Sequence, residues 1–480
     1  MRFKPILKII STMLFYLGIF LMVPLIVSVF DNFRSFDTFL ITIIITFSVA
    51  LVLCLFLPKN EDISLKESFA IVSLTWFFYA FFGGLPYFIE GIVPSLTDAF
   101  FESMSGFTTT GSTVLVAISA QSQAILFWRS FTQFLGGMGI IVLGVAILPE
   151  LGVGMYQLFK AEVPGPTKDR IFPRIRQTAF SLWVVYILFA IAEAILLRLG
   201  GLSILDAFNH AFTTMATGGF STLDNSITGF NSAYVEIVMI LFMFMAGINF
   251  TLHFHFLRGN FKSYFRSPEF LVYLTIFLLS TAFVTFNIYG EIYSSVFTSI
   301  RKASFQVISV LTTTGYASAD FEVWPSFSQI VLFIFMFVGA MSGSTGGGMK
   351  VIRLMIGYKS GLRQIKKLMH PNLVSHIKIG QQLIPEEIVK TVSGFLILYI
   401  GVFVGSVLII SFLGVDFITT MSAVASCLGN IGPGFGAVGA MDNYADLPII
   451  AKNLLSFLML LGRLEIYTVL VLFLPIYWKE

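Results

Sequence analysis

The strongest constraint on the fold is a unit that the chain repeats four times. Each copy has a long apolar segment, a short half-apolar segment, a Gly/Thr-rich stretch and a second long apolar segment. In a gap-free alignment, each short segment carries a reference residue thirteen positions before a glycine. The four pairs are Asp98 with Gly111, Asp206 with Gly219, Lys302 with Gly315, and Asp416 with Gly429. Four copies of one unit predict pseudo-fourfold symmetry around a central axis.

The short segments cannot cross a membrane. A stretch such as 98–107 has about ten residues, half of what a helix needs to span about 30 Å of hydrocarbon. It must therefore enter and leave on the same face, as a re-entrant half-helix. Non-helical backbone at that depth is tolerated only where it is buried in protein or lines a watery cavity. We therefore expect the Gly/Thr-rich stretches to face an aqueous pore.

The long segments indicate a polytopic membrane protein. Hydrophobic residues make up 56% of the 480 residues and charged residues 11%, whereas soluble domains carry about 25% charge, so a soluble enzyme is excluded. About ten spans are predicted, at 6–30, 38–57, 67–89, 126–148, 177–198, 234–256, 268–289, 328–357, 386–413 and 452–477. We expect an all-α fold with two N-terminal helices (1–57) and four helix–pore-loop–helix repeats around a central pore, at 67–150, 177–257, 268–357 and 386–480.

The charges set the orientation. Most of the 29 basic residues fall on one side when the N-terminus is placed inside, with clusters at 2–8, 160–176, 258–266 and 350–390. The excess of Lys and Arg in cytoplasmic loops then predicts that both termini are cytoplasmic. The net charge of +3 is too small to indicate nucleic-acid binding, and two distant cysteines give no disulfide framework.

The Gly/Thr-rich stretches have the chemistry of a filter for a monovalent cation. Glycine permits close approach and positive φ, so that successive carbonyl oxygens can replace the water around an ion. Each half-helix also directs the partial negative charge of its C-terminus toward the cavity. The stretches contain no Asp or Glu, which argues against a divalent-cation filter. The predicted filter residues are Thr108, Thr109, Thr110, Gly111, Thr217, Gly218, Gly219, Thr313, Thr314, Gly315, Cys427, Leu428, Gly429 and Asn430.

The second long segment of repeat three is interrupted by Gly343, Gly346, Gly347 and Gly348. Each glycine costs about 1 kcal/mol relative to alanine inside a helix, so a continuous helix here would lose about 4 kcal/mol. We expect a break that forms a gate below the filter, with Lys350 at its end. A phosphate-binding loop is the competing interpretation, but the sequence GSTGGGMK misses the GxxxxGK[ST] pattern by one position.

Arg463 lies near the middle of the last predicted span. A buried cation there costs at least about 3 kcal/mol unless it finds a partner or water. By the repeat symmetry it shares a face with Gly136, Gly137 and the glycine break, so it either repels permeating cations or hydrogen-bonds to the loop and holds the gate shut. A structural pair with Glu465 is the alternative, although residues two apart do not share a helix face.

Other polar residues in the spans have open interpretations. Glu102 and His210 align in the first two half-helices and either tune the filter or hydrogen-bond behind it. Glu193 is either a proton relay or a side chain that reaches the membrane surface near Arg198. His253 is two residues from the next histidine, on a different helix face, so interface packing is favoured over a metal site.

Together these motifs resemble the Trk/Ktr/HKT superfamily of cation transporters. The resemblance rests on the fourfold unit, on the Thr-Thr-Thr-Gly and Thr-Gly-Gly stretches, on the sequences SCLGNIGPG at 426–434 and SGSTGGGMK at 342–350, and on GRLEI at 462–466. It covers the chain from about residue 1 to 480. The two extra N-terminal spans and the long glycine break are similar to the bacterial TrkH branch rather than the shorter KtrB branch.

The resemblance implies a potassium uptake protein of the bacterial inner membrane. It implies a homodimer, one pore per chain, and a cytoplasmic nucleotide-binding ring protein of the TrkA type as gating partner, with no bound cofactor. Four filter glycines favour potassium, and the loop and arginine of the family map onto 339–350 and Arg463. Basic residues could dock the partner, although the orientation rule also explains them: Arg170, Arg174, Arg363, Lys366 and Lys367.

Three classes of function are compared on the residues. A channel-like pore driven by membrane potential fits four repeats of one topology. An alternating-access symporter would need inverted repeats around a midplane site, which this chain does not support. An intramembrane enzyme would need a converging nucleophile, carboxylate pair or metal cluster, and the sequence offers none. A weakly selective sodium and potassium pathway, or coupling to sodium or protons, stays open.

Overall fold

The computed structural model describes residues 3–55, 64–139, 175–372 and 375–478. Within these ranges the chain is helical apart from its connections and a two-stranded hairpin, Lys378–Ile379 with Gln382–Leu383. Six of the helices are long and apolar enough to cross a membrane, and two bent helix pairs pass the same test. The predicted all-α polytopic fold is therefore confirmed.

Two N-terminal helices, Phe3–Phe30 and Phe36–Leu55, pack against each other along their length. The first helix also contacts the first helix of repeat one, where the Tyr79 hydroxyl donates to the Met13 carbonyl at 2.8 Å. The outward faces of both helices carry exposed apolar side chains such as Ile26 and Leu51. Such faces fit the hydrocarbon of a bilayer.

Each repeat contains an incoming helix, a half-helix and an outgoing helix. The incoming helices are Leu65–Ile89, Ile175–Leu199, Pro268–Ile288 and Glu386–Phe412. Half-helices one to four are Leu96–Phe107, Ile204–Met215, Val296–Leu311 and Phe417–Gly429. The outgoing parts are Gln123–Gly137; Ala233–Ala246 with Phe250–Leu257; Ser326–Phe335 with Val351–Met369; and Ile449–Leu464 with Ile466–Leu470.

The short elements connect these parts. They are the helices Lys262–Arg266 and Pro475–Trp478 and the 3-10 turns Ser226–Phe230, Gly436–Val438 and Val471–Phe473.

The outgoing helices are interrupted more often than the sequence predicts. The sequence predicts one break, in repeat three, but the outgoing pairs of repeats two and four bend by 103° and 117°. The segments predicted as spans at 234–256 and 452–477 are therefore bent pairs of helices rather than continuous helices. In repeat two the second piece starts afresh because the Asn249 side chain accepts from the Thr251 N–H. In repeat four Glu465 breaks the helix with φ of +62°. In repeat one the helix ends at Gly137, and the predicted continuation at 140–148 lies outside the described residues.

The starts of the half-helices correct the alignment of repeat four. Ser95 and Ser203 cap half-helices one and two, and their hydroxyls accept from the N–H groups of Asp98 and Asp206 three residues later. In repeat four Asp416 is itself the cap and accepts from the Thr419 N–H. Asp416 is therefore equivalent to Ser95 rather than to Asp98. The gap-free alignment is wrong by three residues in this repeat, because aspartate serves as well as serine at a helix N-cap.

Candidate ion pathway and its gate

The four segments that follow the half-helices share one backbone conformation. A non-glycine residue just after each helix end is left-handed, with φ of +53° at Thr109, +54° at Thr217, +60° at Thr313 and +56° at Asn430. Two positions later comes a glycine that is also at positive φ: Gly111, Gly219, Gly315 and Gly432. The residue between them donates its N–H to the carbonyl five residues earlier: Thr110 to Ser105, Gly218 to Thr213, Thr314 to Ser309 and Ile431 to Ser426.

The equivalent of Gly111 in repeat four is thus Gly432. Gly429 is the last residue of half-helix four, and Cys427 and Leu428 lie within that helix, all three buried. Asn430 keeps a place in the segment, at the position of Thr109. The predicted set therefore loses Cys427 and Leu428 as pore-lining candidates and gains Ile431 and Gly432. The glycine-rich sequence after residue 430 was the signal that could have found them.

Gly111, Gly219, Gly315 and Gly432 form a closed ring, called here the glycine ring. A Cβ added to each of them would come closer than 3.0 Å to a carbonyl oxygen of the next repeat. The facing pairs are Gly111 with Gly218, Gly219 with Thr314, Gly315 with Ile431, and Gly432 with Thr110. The series returns to its start after four steps, so the repeats enclose one axis. Only glycine allows this approach together with positive φ.

The repeat-three loop, residues 336–350, lies at the carboxyl ends of the half-helices. The Gly347 N–H donates to the Thr313 hydroxyl at 2.6 Å. The Thr345 hydroxyl donates at 2.9 Å to the carbonyl of Met215, the last residue of half-helix two. Gly346 and Gly347 also allow close contact with the carbonyls of Thr312 and Gly429, at the ends of half-helices three and four. The loop thus occupies the region toward which three helix C-termini direct partial negative charge.

Two cations hold this loop. The Lys350 ammonium donates to the Gly346 carbonyl. The Arg463 guanidinium donates to the Thr345 carbonyl at 2.7 Å and to the carbonyls of Gly136 and Gly137 at 2.5 and 2.7 Å. Arg463 therefore joins the outgoing helices of repeats one and four to the loop. Glu465 forms an ion pair with Arg353 and not with Arg463, which was the alternative interpretation of the sequence.

Glu269, which the sequence did not single out, fastens both stems of the loop. It is the second residue of the incoming helix of repeat three and is buried. One carboxylate oxygen accepts from the Ser342 N–H at 2.8 Å and from the Ile352 N–H at 3.2 Å. Charge-assisted bonds of this kind are about twice as strong as neutral ones. The signal in the sequence was an acidic residue at the start of a span, opposite a glycine-rich break.

The loop is also tied to the bend in repeat two. The Met341 N–H donates to the Gly247 carbonyl at 3.1 Å, and the Phe250 N–H donates to the Gly343 carbonyl at 3.0 Å. A movement of the loop therefore requires a change at that bend.

Comparisons with known proteins agree with this architecture. The family model TrkH, described as a cation transport protein, matches residues 35–479. The chain belongs to the TrkH family. The Trk system potassium uptake protein TrkH of Salmonella typhimurium is 44% identical over 447 residues, which cover 91% of this chain and 92% of that protein. The protein of the same name from Halomonas elongata is 39% identical, with both chains covered completely.

A solved TrkH-family structure has the same fold. The crystal structure of the potassium transporter TrkH from Vibrio parahaemolyticus matches with a TM-score of 0.89 and 36% identity over the whole of both chains. The predicted resemblance to the TrkH branch is therefore confirmed.

Behind the glycine ring of this TrkH-family chain, Glu102 and His210 brace the segments that leave the ring. Glu102 accepts from the Val114 N–H at 2.9 Å and forms a buried ion pair with Arg129 at 2.9 Å. His210 contacts the Ser221 hydroxyl at 3.1 Å through Nε2. Of the two roles left open for this aligned pair, the contacts favour hydrogen bonding behind the ring.

Ion pairs between repeats are a feature that the sequence interpretation missed. Lys452, the fourth residue of its outgoing helix, pairs with Asp98 of half-helix one at 2.6 Å, and both are buried. Glu236, the fourth residue of its outgoing helix, pairs with Lys302 of half-helix three at 2.8 Å. The two pairs occupy equivalent places with their charges exchanged. The alignment of Lys302 with Asp98 was the available signal.

The remaining candidates have local partners or lie outside the described residues. His253 contacts the Tyr264 hydroxyl and the Met245 carbonyl at 2.7 and 2.8 Å. Arg363 forms two bonds to the Glu386 carboxylate, at 2.6 and 2.8 Å. Arg170 and Arg174 lie outside the described residues.

Proposed function

We propose that this chain takes up potassium ions across a bacterial inner membrane through the glycine ring. The observation that carries the proposal is the closed ring, in which a carbonyl oxygen of each repeat faces the glycine of its neighbour. Neutral carbonyl oxygens replace the hydration shell of a monovalent cation. The names of the relatives, which are Trk system potassium uptake proteins, support the same ion.

In the proposed pathway, the glycine ring selects the ion and the membrane potential drives its uptake. The proposed filter comprises Thr108–Gly111, Thr217–Gly219, Thr313–Gly315 and 429–432, none of which contains an acidic residue. An inside-negative potential contributes about 2.3 kcal/mol per charge for each 100 mV. Accumulation of the ion by this route requires no chemical step. The chain need only provide a passage in which carbonyl oxygens replace the water around the ion.

The repeat-three loop is the proposed gate. In the arrangement described, the ammonium of Lys350 and the guanidinium of Arg463 donate to backbone carbonyls at the inner side of the ring. Those carbonyls are then less available to an arriving cation, and two positive charges repel it. Opening would require the loop to leave Arg463 and the bend of repeat two.

A cytoplasmic partner is proposed to move that loop. We propose a homodimer with both termini in the cytoplasm and a TrkA-type nucleotide-binding ring protein bound to it. The helix Val351–Met369 runs directly from the loop and has an exposed Lys366 and a half-buried Lys367 near its end. A force applied to this helix end would be transmitted to the loop.

A weakly selective sodium and potassium pathway is the second candidate. One specific contact favours it: the Gln133 amide donates to the Gly218 carbonyl at 2.7 Å. That oxygen is shared with a side chain, so the four ring oxygens are not equivalent. An uneven ring discriminates less sharply between ions of similar size.

Rubidium-86 uptake into proteoliposomes tests the proposal. The purified chain is reconstituted alone, an inside-negative potential is imposed, and potassium, sodium or lithium is added as competitor. Inhibition by potassium and not by sodium supports the proposal. Equal inhibition by sodium supports the second candidate, and the absence of uptake both alone and with the loop shortened contradicts both.

A further inference from the structure

Glu193 is a buried carboxyl group with no role in the pathway described. It lies in the incoming helix of repeat two, Ile175–Leu199, and is 0% exposed. Neither of its oxygens makes a well-formed hydrogen bond to a described residue, although the Thr214 hydroxyl lies beside the carboxyl group. The side chain does not reach the membrane surface near Arg198, which donates to the Leu202 carbonyl. The interpretation of Glu193 as a snorkelling residue is therefore wrong.

Most titratable groups on the neighbouring described helices have partners elsewhere. On half-helix two, Asp206 binds the Thr222 hydroxyl and His210 binds Ser221. On the outgoing helices of repeat two, Glu236 pairs with Lys302, and His253 contacts Tyr264, with His255 two residues further along the same helix.

Among the described residues, the groups that interact with Glu193 are uncharged. They are the Thr214 hydroxyl and the buried phenols of Tyr186 and Tyr316. Tyr186 is on the same helix and donates to the Phe134 carbonyl at 3.1 Å.

An ionised carboxylate is unstable in this place for two reasons. Transfer of an unpaired carboxylate into an apolar interior costs so much that the group takes up a proton instead. In addition, Thr214 is the penultimate residue of half-helix two, and a negative charge beside a helix C-terminus is unfavourable because the helix end already carries partial negative charge. Protonation removes both penalties.

The position of Glu193 connects its charge to the ring. Three residues after Thr214 comes Thr217, the left-handed residue that leads to Gly219. The hydroxyl of Thr213 contacts that of Tyr316, which directly follows Gly315. A new charge at Glu193 therefore acts on the contact between the ring segments of repeats two and three.

We propose that Glu193 is a proton-binding site, and that the occupied, neutral form is the one that conducts. When the proton leaves, the unpaired carboxylate disturbs the carboxyl end of half-helix two and the Thr213–Tyr316 contact. Proton binding thereby regulates cation flux. This inference rests on the proposed function for its flux measurement but not for the detection of the proton.

Infrared difference spectroscopy detects the proton without any transport. The full-length chain in lipid is compared with its Glu193→Gln variant, whose amide cannot be ionised and preserves the shape of the side chain. The expected result is the C=O stretching band of a protonated carboxylic acid, present at neutral pH in the unmodified chain and missing from Glu193→Gln. A spectrum in which the two proteins have the same acid bands overturns the proposal, even if neither protein transports.

The pH profile of rubidium uptake tests the regulation. Uptake by the unmodified chain is expected to fall as pH rises, by about tenfold per unit once Glu193 loses its proton. Glu193→Gln should keep its uptake over the same range. The matched control is Glu291→Gln, because Glu291 is exposed, and this variant should keep the profile of the unmodified chain. A Glu193→Gln variant that transports and still declines with pH overturns the regulatory role.

Discussion

Replacement of Gly315 by alanine separates the ring contact from backbone strain. Gly315 has φ of +82°, and a Cβ there would collide with the Ile431 carbonyl oxygen. Gly290 is the matched control, because it has φ of +85° but no heavy atom within 4 Å of its added Cβ. Both alanines therefore carry the left-handed backbone penalty of about 1–2 kcal/mol. Only Gly315→Ala adds a steric cost, about 1–3 kcal/mol for overpacking.

The difference between the two variants should appear in transport. To relieve the contact at Gly315, the facing carbonyl must retreat by more than about 1 Å, which takes one oxygen away from the ion. A loss of 1.4 kcal/mol of ion stabilisation is a factor of ten, so we expect rubidium uptake to fall at least about tenfold and sodium to compete better. Gly290→Ala should lose stability in a thermal melt and keep its uptake. A folded Gly315→Ala protein with unchanged uptake and unchanged ion preference would refute the reasoning.

Three further predictions concern the gate and the inter-repeat contacts. Arg463→Ala removes charged bonds to three carbonyls, each worth about 1.5–3 kcal/mol, so rubidium uptake by the chain alone should rise, and Arg463→Lys should raise it less; equal uptake in all three proteins argues against an arginine-held gate. Glu269→Ala leaves the N–H groups of Ser342 and Ile352 without their acceptor, at about 1–3 kcal/mol each, and should also raise uptake; a fall with intact folding would contradict the role of Glu269 in holding the loop. Asp98→Lys buries two like charges, costing about 3–5 kcal/mol, and adding Lys452→Glu should restore the melting temperature, as the reversed Glu236–Lys302 pair suggests; no rescue would show that the two sites are not equivalent.

The fourfold repeat and three of the four ring glycines could be predicted because they follow from the spacing of residues within short stretches of the sequence. Gly111, Gly219 and Gly315 lie at the same distance after the carboxyl ends of their half-helices, although half-helix three begins about one turn earlier than the other two. The alignment of repeat four was wrong because Asp416 has the same residue type as Asp98 but the capping role of Ser95. Residue identity alone does not distinguish an aspartate at a helix cap from one three positions later.

The bends and the contacts of Glu269 with the repeat-three loop could not be predicted from local composition. Helix breaks were predicted from clustered glycines, but Glu465 ends its helix at φ of +62°, a conformation that its residue type disfavours. The surroundings impose it, including the pair with Arg353. The role of Glu269 depends on contacts with residues distant in the sequence. That of Glu193 depends on the lack of a well-formed hydrogen bond to its carboxyl group. Such information exists only once the helices are packed.

Anomalous scattering from rubidium bound to the protein tests the central claim most directly. A crystal of the chain grown with rubidium should show an ion on the axis of the glycine ring, coordinated by the carbonyl oxygens of Thr110, Gly218, Thr314 and Ile431, and potassium should displace it. An ion coordinated instead by the 427–429 turn of half-helix four, or a ring that stays empty at a rubidium concentration that supports uptake, would contradict the account.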